Sequence, residues 1–195
     1  MYWDNVKPEN CFFVLVDFQA SFFNLIDRKI IRLAKSNVCL MLDMFRTLDI
    51  PCVGTDHYRK GLGTTMPEIL AKWHGAEIRD KVTFSALGCA ELLKDLENVG
   101  NRKIAVVAGI ETQICVLQTT LDLLRKGYEV LVVNDAVLSS SKLKWKNGLQ
   151  LAREAGAHVV NTETVIFHLL QRVDRPEFKL LVKLLKDQKA FLSQE

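Results

Sequence analysis

"KIAVVAGIETQICVLQTTLDLLRKGYEVLVVND", residues 103–135, places two unbroken apolar runs around a segment whose apolar side chains recur every three or four positions. Apolar runs without alternation belong to strands covered on both faces, and the periodicity between them is that of a helix. "KIAVVAG" therefore reads as a buried strand, and the residues from Thr112 to about Lys126 as a helix closed by Gly127. "YEVLVVND" reads as the next buried strand, ending in an acid at Asp135. Two buried strands joined by a crossover helix make a parallel pair.

The same pattern extends in both directions. "CFFVLVD" (11–17), "PCVGTD" (51–56) and "AHVVNT" (157–162) read as further strands. Between them, "RKIIRLAKSNVCLMLDMFRTLDI" (28–50) sets Ile30, Leu33, Ala34, Val38, Met41, Leu42 and Phe45 on one helical face. A short helix is expected after Met66, another over "CAELLKDLENVGNR" (89–102) ending near Gly100, and one over "KWKNGLQLAREAG" (144–156). Two C-terminal helices, "TETVIFHLLQRV" and "PEFKLLVKLLKDQ", complete the chain. Alternation of strand and helix predicts an α/β fold. It is read as a single domain over residues 1–195, a three-layer α/β/α sandwich around a mostly parallel, doubly wound sheet.

With 195 residues, 49% of them hydrophobic and 25% charged, the chain falls outside the disordered and fibrous classes. Its net charge of +3 is weak and its tryptophans, Trp3, Trp73 and Trp145, are dispersed. No stacking platform or basic stripe for nucleic acid follows from that. Five cysteines, an odd number with no C-x-x-C spacing, argue against a disulfide framework or a zinc knuckle and for a reducing, cytoplasmic setting. The first ten residues carry no signal-peptide core, and "CFFVLVDF" is far short of a membrane span.

In doubly wound sheets ligands bind beyond the carboxyl ends of the strands. Three reactive side chains fall there: Asp17 after the first strand, Cys115 on the first turn of the helix after the third, and Lys81 in the segment between. A core cysteine needs no such placement, but a nucleophile gains from it. A helix N-terminus and a nearby cation lower a thiol pKa from about 8.5 into the range of roughly 3.5 to 7.5. Lys81 would supply the cation, and Asp17 would take the thiol proton and return it to a leaving group. The backbone N–H groups of residues 111–115 would face an oxyanion.

"FFVLVDFQ", "KVTFSAL" and "AVVAGIETQICVLQTTLDLLRKGYEVLVVNDAVLSS" resemble the three signature segments of the isochorismatase-like cysteine hydrolase superfamily, in the same order. Within it the chain is most similar to the small isochorismatase-domain-containing proteins, whose loop reads much like "GLGTTMPEIL". The resemblance implies a catalytic triad of Asp17, Lys81 and Cys115, with Cys115 the nucleophile. It also implies a cis peptide between Ile110 and Glu111, and an oxyanion site built from the backbone of Ile110, Glu111 and Cys115. Gln19 matches a polar residue that borders the pocket in the family, and Phe18, Phe22, Tyr58 and Phe84 would wall it.

Nicotinamidase relatives hold a metal through Asp-x-His and a second histidine, whereas Asp56 and His57 are adjacent here and His74 stands in an unlike context. Neither a metal nor another cofactor is therefore expected. His158 and His168 read as structural, and Asp135 as a support of the serine-rich loop 139–141. The expected activity is metal-independent hydrolysis of a C–N bond in a small amide or related acyl substrate, through a thioester. Two other readings compete: an interaction protein that keeps the fold, and a thiol-redox protein cycling the same cysteine. The expected partners are a small-molecule substrate and further copies of the chain, as a dimer or higher homo-oligomer. Neither nucleic acid nor membrane is expected as a partner.

Overall fold

The first apolar run is buried at every position, and its side chains alternate between two cores. Cys11, Phe13 and Leu15 join one hydrophobic cluster, while Phe12, Val14 and Val16 join the other. Successive strand side chains point to opposite faces, so a strand sandwiched between helical layers must be apolar throughout. The computed structural model, which describes residues 2–193, resolves this run as β1 (Cys11–Val16). It is followed by β2 (Cys52–His57), β3 (Arg79–Lys81), β4 (Ile104–Ile110), β5 (Glu129–Leu138) and β6 (His158–Val160). They form one sheet in the order β3-β2-β1-β4-β5-β6, with every pairing parallel.

The helices are α1 (Arg28–Thr47), α2 (Arg59–Leu62), α3 (Pro67–Leu70), α4 (Ala90–Glu97), α5 (Leu117–Arg125), α6 (Lys142–Glu154), α7 (Thr162–Leu170) and α8 (Pro176–Leu192). One face of the sheet packs against α1, α7 and α8, and the other against α4, α5 and α6. Phe13 on the first face meets Phe45 of α1 with ring centroids 5.4 Å apart. Truncating a core phenylalanine of this kind to alanine costs about 3–5 kcal/mol, so it is packing on the sheet that holds α1 in place. β1 and β4 are neighbours although far apart in sequence, so the winding reverses between them. The crevice at their carboxyl ends is where such a sheet binds ligands.

The α/β class and the layers agree with the sequence reading, and four details differ. β3 was not anticipated, because "RDK" is a short charged edge strand without an apolar run. β5 continues past Asp135 to Leu138, because its register against β4 shifts between the Val107 and Gly109 pairings and the strand bulges there. Residues Thr112–Val116 form a π-helical turn ahead of α5 rather than its first α-turn. Ile30 and Leu33 do not reach the core. They are 54% and 42% exposed, where α1 overhangs the end of β5 and lines a cavity of about 370 Å³ with Val137, Leu138 and Trp145. The expected domain span of 1–195 includes residues 1, 194 and 195, which lie outside the described residues.

Candidate active site

Asp17 follows β1 directly, in a left-handed conformation (φ 52°) that turns the chain off the end of the sheet. Its carboxylate is fully buried. Oδ1 accepts the Thr55 hydroxyl at 2.7 Å and Oδ2 accepts Lys81 Nζ at 2.7 Å. Lys81 is the last residue of β3, which explains how a side chain from a charged edge strand enters the interior. Its ammonium also donates to the carbonyls of Thr83 at 2.9 Å and Phe84 at 3.0 Å, so all three protons have oxygen partners. A buried ammonium without such partners would be costly.

Cys115 lies on the π-turn that β4 feeds. Gly109 makes the approach possible: it sits at φ 146°, and a Cβ there would stand 2.1 Å from the Val16 carbonyl oxygen. The Ile110–Glu111 peptide that follows is cis. The Glu111 carbonyl accepts the N–H groups of Ile114 at 3.0 Å and Val116 at 3.3 Å, which flank Cys115. The Cys115 thiol lies close enough to the Asp17 carboxylate and the Lys81 ammonium for each to act on it electrostatically. The structure therefore brings Asp17, Lys81 and Cys115 together from the ends of three strands.

The electrostatics differ from the sequence expectation. Burial, followed by the neighbouring Asp17 carboxylate, pushes the Cys115 thiol up to about 12, against a lowering by Lys81. The ammonium lies 2.7 Å from a carboxylate, so its charge is largely offset there and its lowering of the thiol is outweighed by burial and Asp17. Burial likewise raises the Asp17 carboxyl, against Lys81 and Thr55, which makes it a stronger base toward the thiol than an exposed aspartate.

Gln19 is fully buried and its amide is committed to backbone: Nε2 donates to the carbonyls of His57 (3.1 Å) and Gly63 (2.6 Å), and Oε1 accepts the His57 N–H (2.7 Å). It clamps the 58–63 loop beside the site. Phe84 and Tyr58 are both about half exposed and lie next to Lys81. The Phe84 carbonyl accepts from Lys81, and the Tyr58 N–H donates to the Lys81 carbonyl at 2.7 Å. Phe18 instead lies in the core against Phe23, and Phe22 packs partly against the same cluster. Thr55 and His57 were missed as site residues. His57 stacks on Phe84 and places Nδ1 3.5 Å from Lys81 Nζ. The only sequence signal for Thr55 is its place two residues before the end of β2, level with Asp17.

The isochorismatase-domain family model matches residues 11–164 of the chain. The chain belongs to this family. Among its relatives is the secreted isochorismatase effector Isc1 of Phytophthora sojae, 40% identical over 151 residues, which are 75% of this chain and 71% of that protein. The MAR1 ribonuclease of Caenorhabditis elegans superposes with a TM-score of 0.84 at 32% identity, covering 92% of this chain and 91% of that one. The Escherichia coli YcaC gene product, an octameric hydrolase of unknown specificity, superposes with a TM-score of 0.84 at 22% identity over 96% and 94% of the two chains.

In this isochorismatase-domain chain the Asp56 carboxylate is taken up by Arg59 Nε at 3.0 Å and by the N–H and hydroxyl of Thr65 at 2.8 and 2.7 Å. Among the described residues no group of three histidine, cysteine or acidic side chains is gathered as for a metal. Asp135 does not support the serine loop. Its Oδ1 accepts the N–H and hydroxyl of Thr162, both at 2.9 Å, and so caps α7, because the bulge in β5 turns it that way. The loop is held by Glu111 instead. All five cysteines are free thiols. Among the described residues no helix is long and apolar enough to cross a membrane, and the Phytophthora relative is a secreted protein.

Proposed function

We propose that this isochorismatase-family protein is a cysteine hydrolase that cleaves the C–N bond of a small amide or related acyl compound. The observation that carries the reading is the buried Asp17–Lys81 ion pair, 2.7 Å apart, with the Cys115 thiol within its electrostatic reach. As the sulfur attacks the acyl carbon, the thiol proton passes to Asp17, and the new oxyanion is met by the backbone N–H groups of Glu111 and Cys115. The C–N bond then breaks, the nitrogen leaves with the Asp17 proton, and a thioester remains on Cys115. Water, giving a proton to Asp17, attacks the thioester. The acid departs, and the sulfur regains its proton from Asp17. Lys81 keeps the carboxylate in place throughout. No step calls on a metal. Phe84 and Tyr58 form the apolar rim that meets the substrate.

A thiol with a raised pKa suits this scheme, because the charge forms only as bonding to carbon begins, within a closed site. It suits a standing redox thiolate less well. The likeness to a ribonuclease supports a second reading, cleavage of RNA at the same site. A panel of small amides is to be incubated with the protein, with release of acid and amine followed and intact mass recorded. The expected result is turnover that disappears in Cys115→Ala, together with an acyl adduct on Cys115. Loss of RNA cleavage in that variant, with no amide turned over, would replace the amide reading by the second. We further place the protein in a homo-oligomer, as for the octameric YcaC product, to be read by light scattering.

A further inference from the structure

The side chain of Glu111 has no part in the scheme above, yet it is the most heavily bonded group on the turn that carries the nucleophile. Its Oε2 accepts Gln113 Nε2 at 3.0 Å and both the N–H and the hydroxyl of Ser140 at 2.9 Å. Two further bonds join the same segments: Ser139 Oγ to Gln113 Oε1 at 2.7 Å, and Thr112 Oγ1 to the Leu138 carbonyl at 2.9 Å. Lys144 Nζ, from the first turn of α6, donates to the Ser140 hydroxyl at 2.9 Å. α6 also lies flush against the turn, since a Cβ on Gly148 would stand 2.8 Å from the backbone nitrogen and Cα of Gln113.

Burial pushes the Glu111 carboxyl up, but donation from Gln113 and Ser140 and the charge of Lys144 outweigh it and hold the group below the usual range. Hydrogen bonds to an ionised acceptor are about twice as strong as neutral ones. π-turns are rare, occur as single turns and recur at functional sites. An external tie is what a turn of this kind needs to keep one shape.

We propose that the Glu111 carboxylate is a positioning residue, pinning the turn that bears Cys115 to the 139–141 loop so that the sulfur and the oxyanion-binding N–H groups face one acyl carbon. Its kinetic consequence rests on the hydrolase reading. Its structural consequence does not.

Misplacement of reacting groups by about 1 Å costs on the order of a hundredfold in rate. Glu111→Ala removes the acceptor, whereas Glu111→Gln keeps an oxygen for the Ser140 N–H. In the alanine variant kcat is expected to fall about 10- to 100-fold with KM within about twofold, and Glu111→Gln to recover to within about fivefold of wild type. Ser140→Ala is expected to lose less, and the double variant to be no slower than Glu111→Ala, because both changes remove one shared contact. Amide hydrogen exchange over residues 111–117 and 138–144, read on the same proteins, is expected to quicken in both segments for alanine and not for glutamine. Wild-type kcat and exchange in folded Glu111→Ala overturns the inference, as does a glutamine variant as impaired as alanine. If the wild type turns over no amide, the hydrolase reading fails by itself, and the exchange data alone decide on the pin. If Glu111→Ala does not fold, unchanged exchange over 111–117 in Ser140→Ala overturns it.

Discussion

Two buried cysteines face polar partners at opposite ends of the sheet. At the amino end, Cys52 opens β2 with its sulfur 3.4 Å from His74 Nε2 and 3.6 Å from the Ile50 carbonyl oxygen. At the carboxyl end, Cys115 meets Asp17, itself paired with Lys81. By distance to a nitrogen base, Cys52 looks the better nucleophile. Burial raises both thiols, as it raises Cys11 to about 12 and Cys39 to about 11, so a perturbed thiol singles out neither. The difference lies in provenance. The partners of Cys52 come from the chain next to it and from one loop, whereas Cys115 is met by a carboxylate and an ammonium from two other strands. A parallel sheet delivers such convergence at its carboxyl ends, where every strand hands over to a loop.

The contrast is broken most directly by turnover. Cys115→Ala is expected to lose activity by about a thousandfold or more, and Cys52→Ala to stay within about threefold of wild type, both by initial rates on the best amide found. Equal losses would erase the distinction. Reactivity toward iodoacetamide sharpens it next. With its pKa near 12, Cys115 carries about a thousandth of the thiolate of an ordinary thiol at pH 8, so its alkylation should be slow and still climbing at pH 10. Because the Asp17 charge raises that pKa and Lys81 lowers it, Asp17→Asn should speed alkylation even as it stops turnover, and Lys81→Met should slow it.

The same shift has a stability consequence of fixed sign. A thiol raised in the folded state contributes stability that is present below the unfolded value of about 9 and is lost as pH rises toward 12, to be seen in denaturant midpoints. Lys81→Met leaves a buried carboxylate unpaired and should cost about 3–5 kcal/mol, part of it regained in Asp17→Asn/Lys81→Met. Smallest is Cys52→Ala, expected to cost about 1–2 kcal/mol for the lost packing, with no change in the alkylation profile of Cys115.

Much of this was legible in the chain. The continuous apolar runs gave away the buried strands, and the ends of those strands pointed to Asp17 and Cys115. β3 stayed hidden because an edge strand of three charged residues carries no hydrophobic period, and Lys81 could be named only as a residue of the intervening segment. Phe18 was misjudged because an aromatic beside a site residue looks alike in sequence whether it turns to the core or to the rim. Asp135 was assigned to the wrong loop because a bulge in β5 depends on its pairing with β4, which no local pattern records.

The sequence by itself determined the five apolar strands with the helices between them, the two-sided core and the choice of a cysteine after a buried strand, because these follow from period and burial along a local stretch. Only the tertiary structure decided that Lys81 is spent on Asp17 and two carbonyls, that burial and Asp17 push the Cys115 thiol up, and that Glu111 reaches across to Ser140. Charge and hydrogen-bond partners depend on distances between segments far apart in the chain, and a protonation state is set by the sum of such neighbours and the water they exclude.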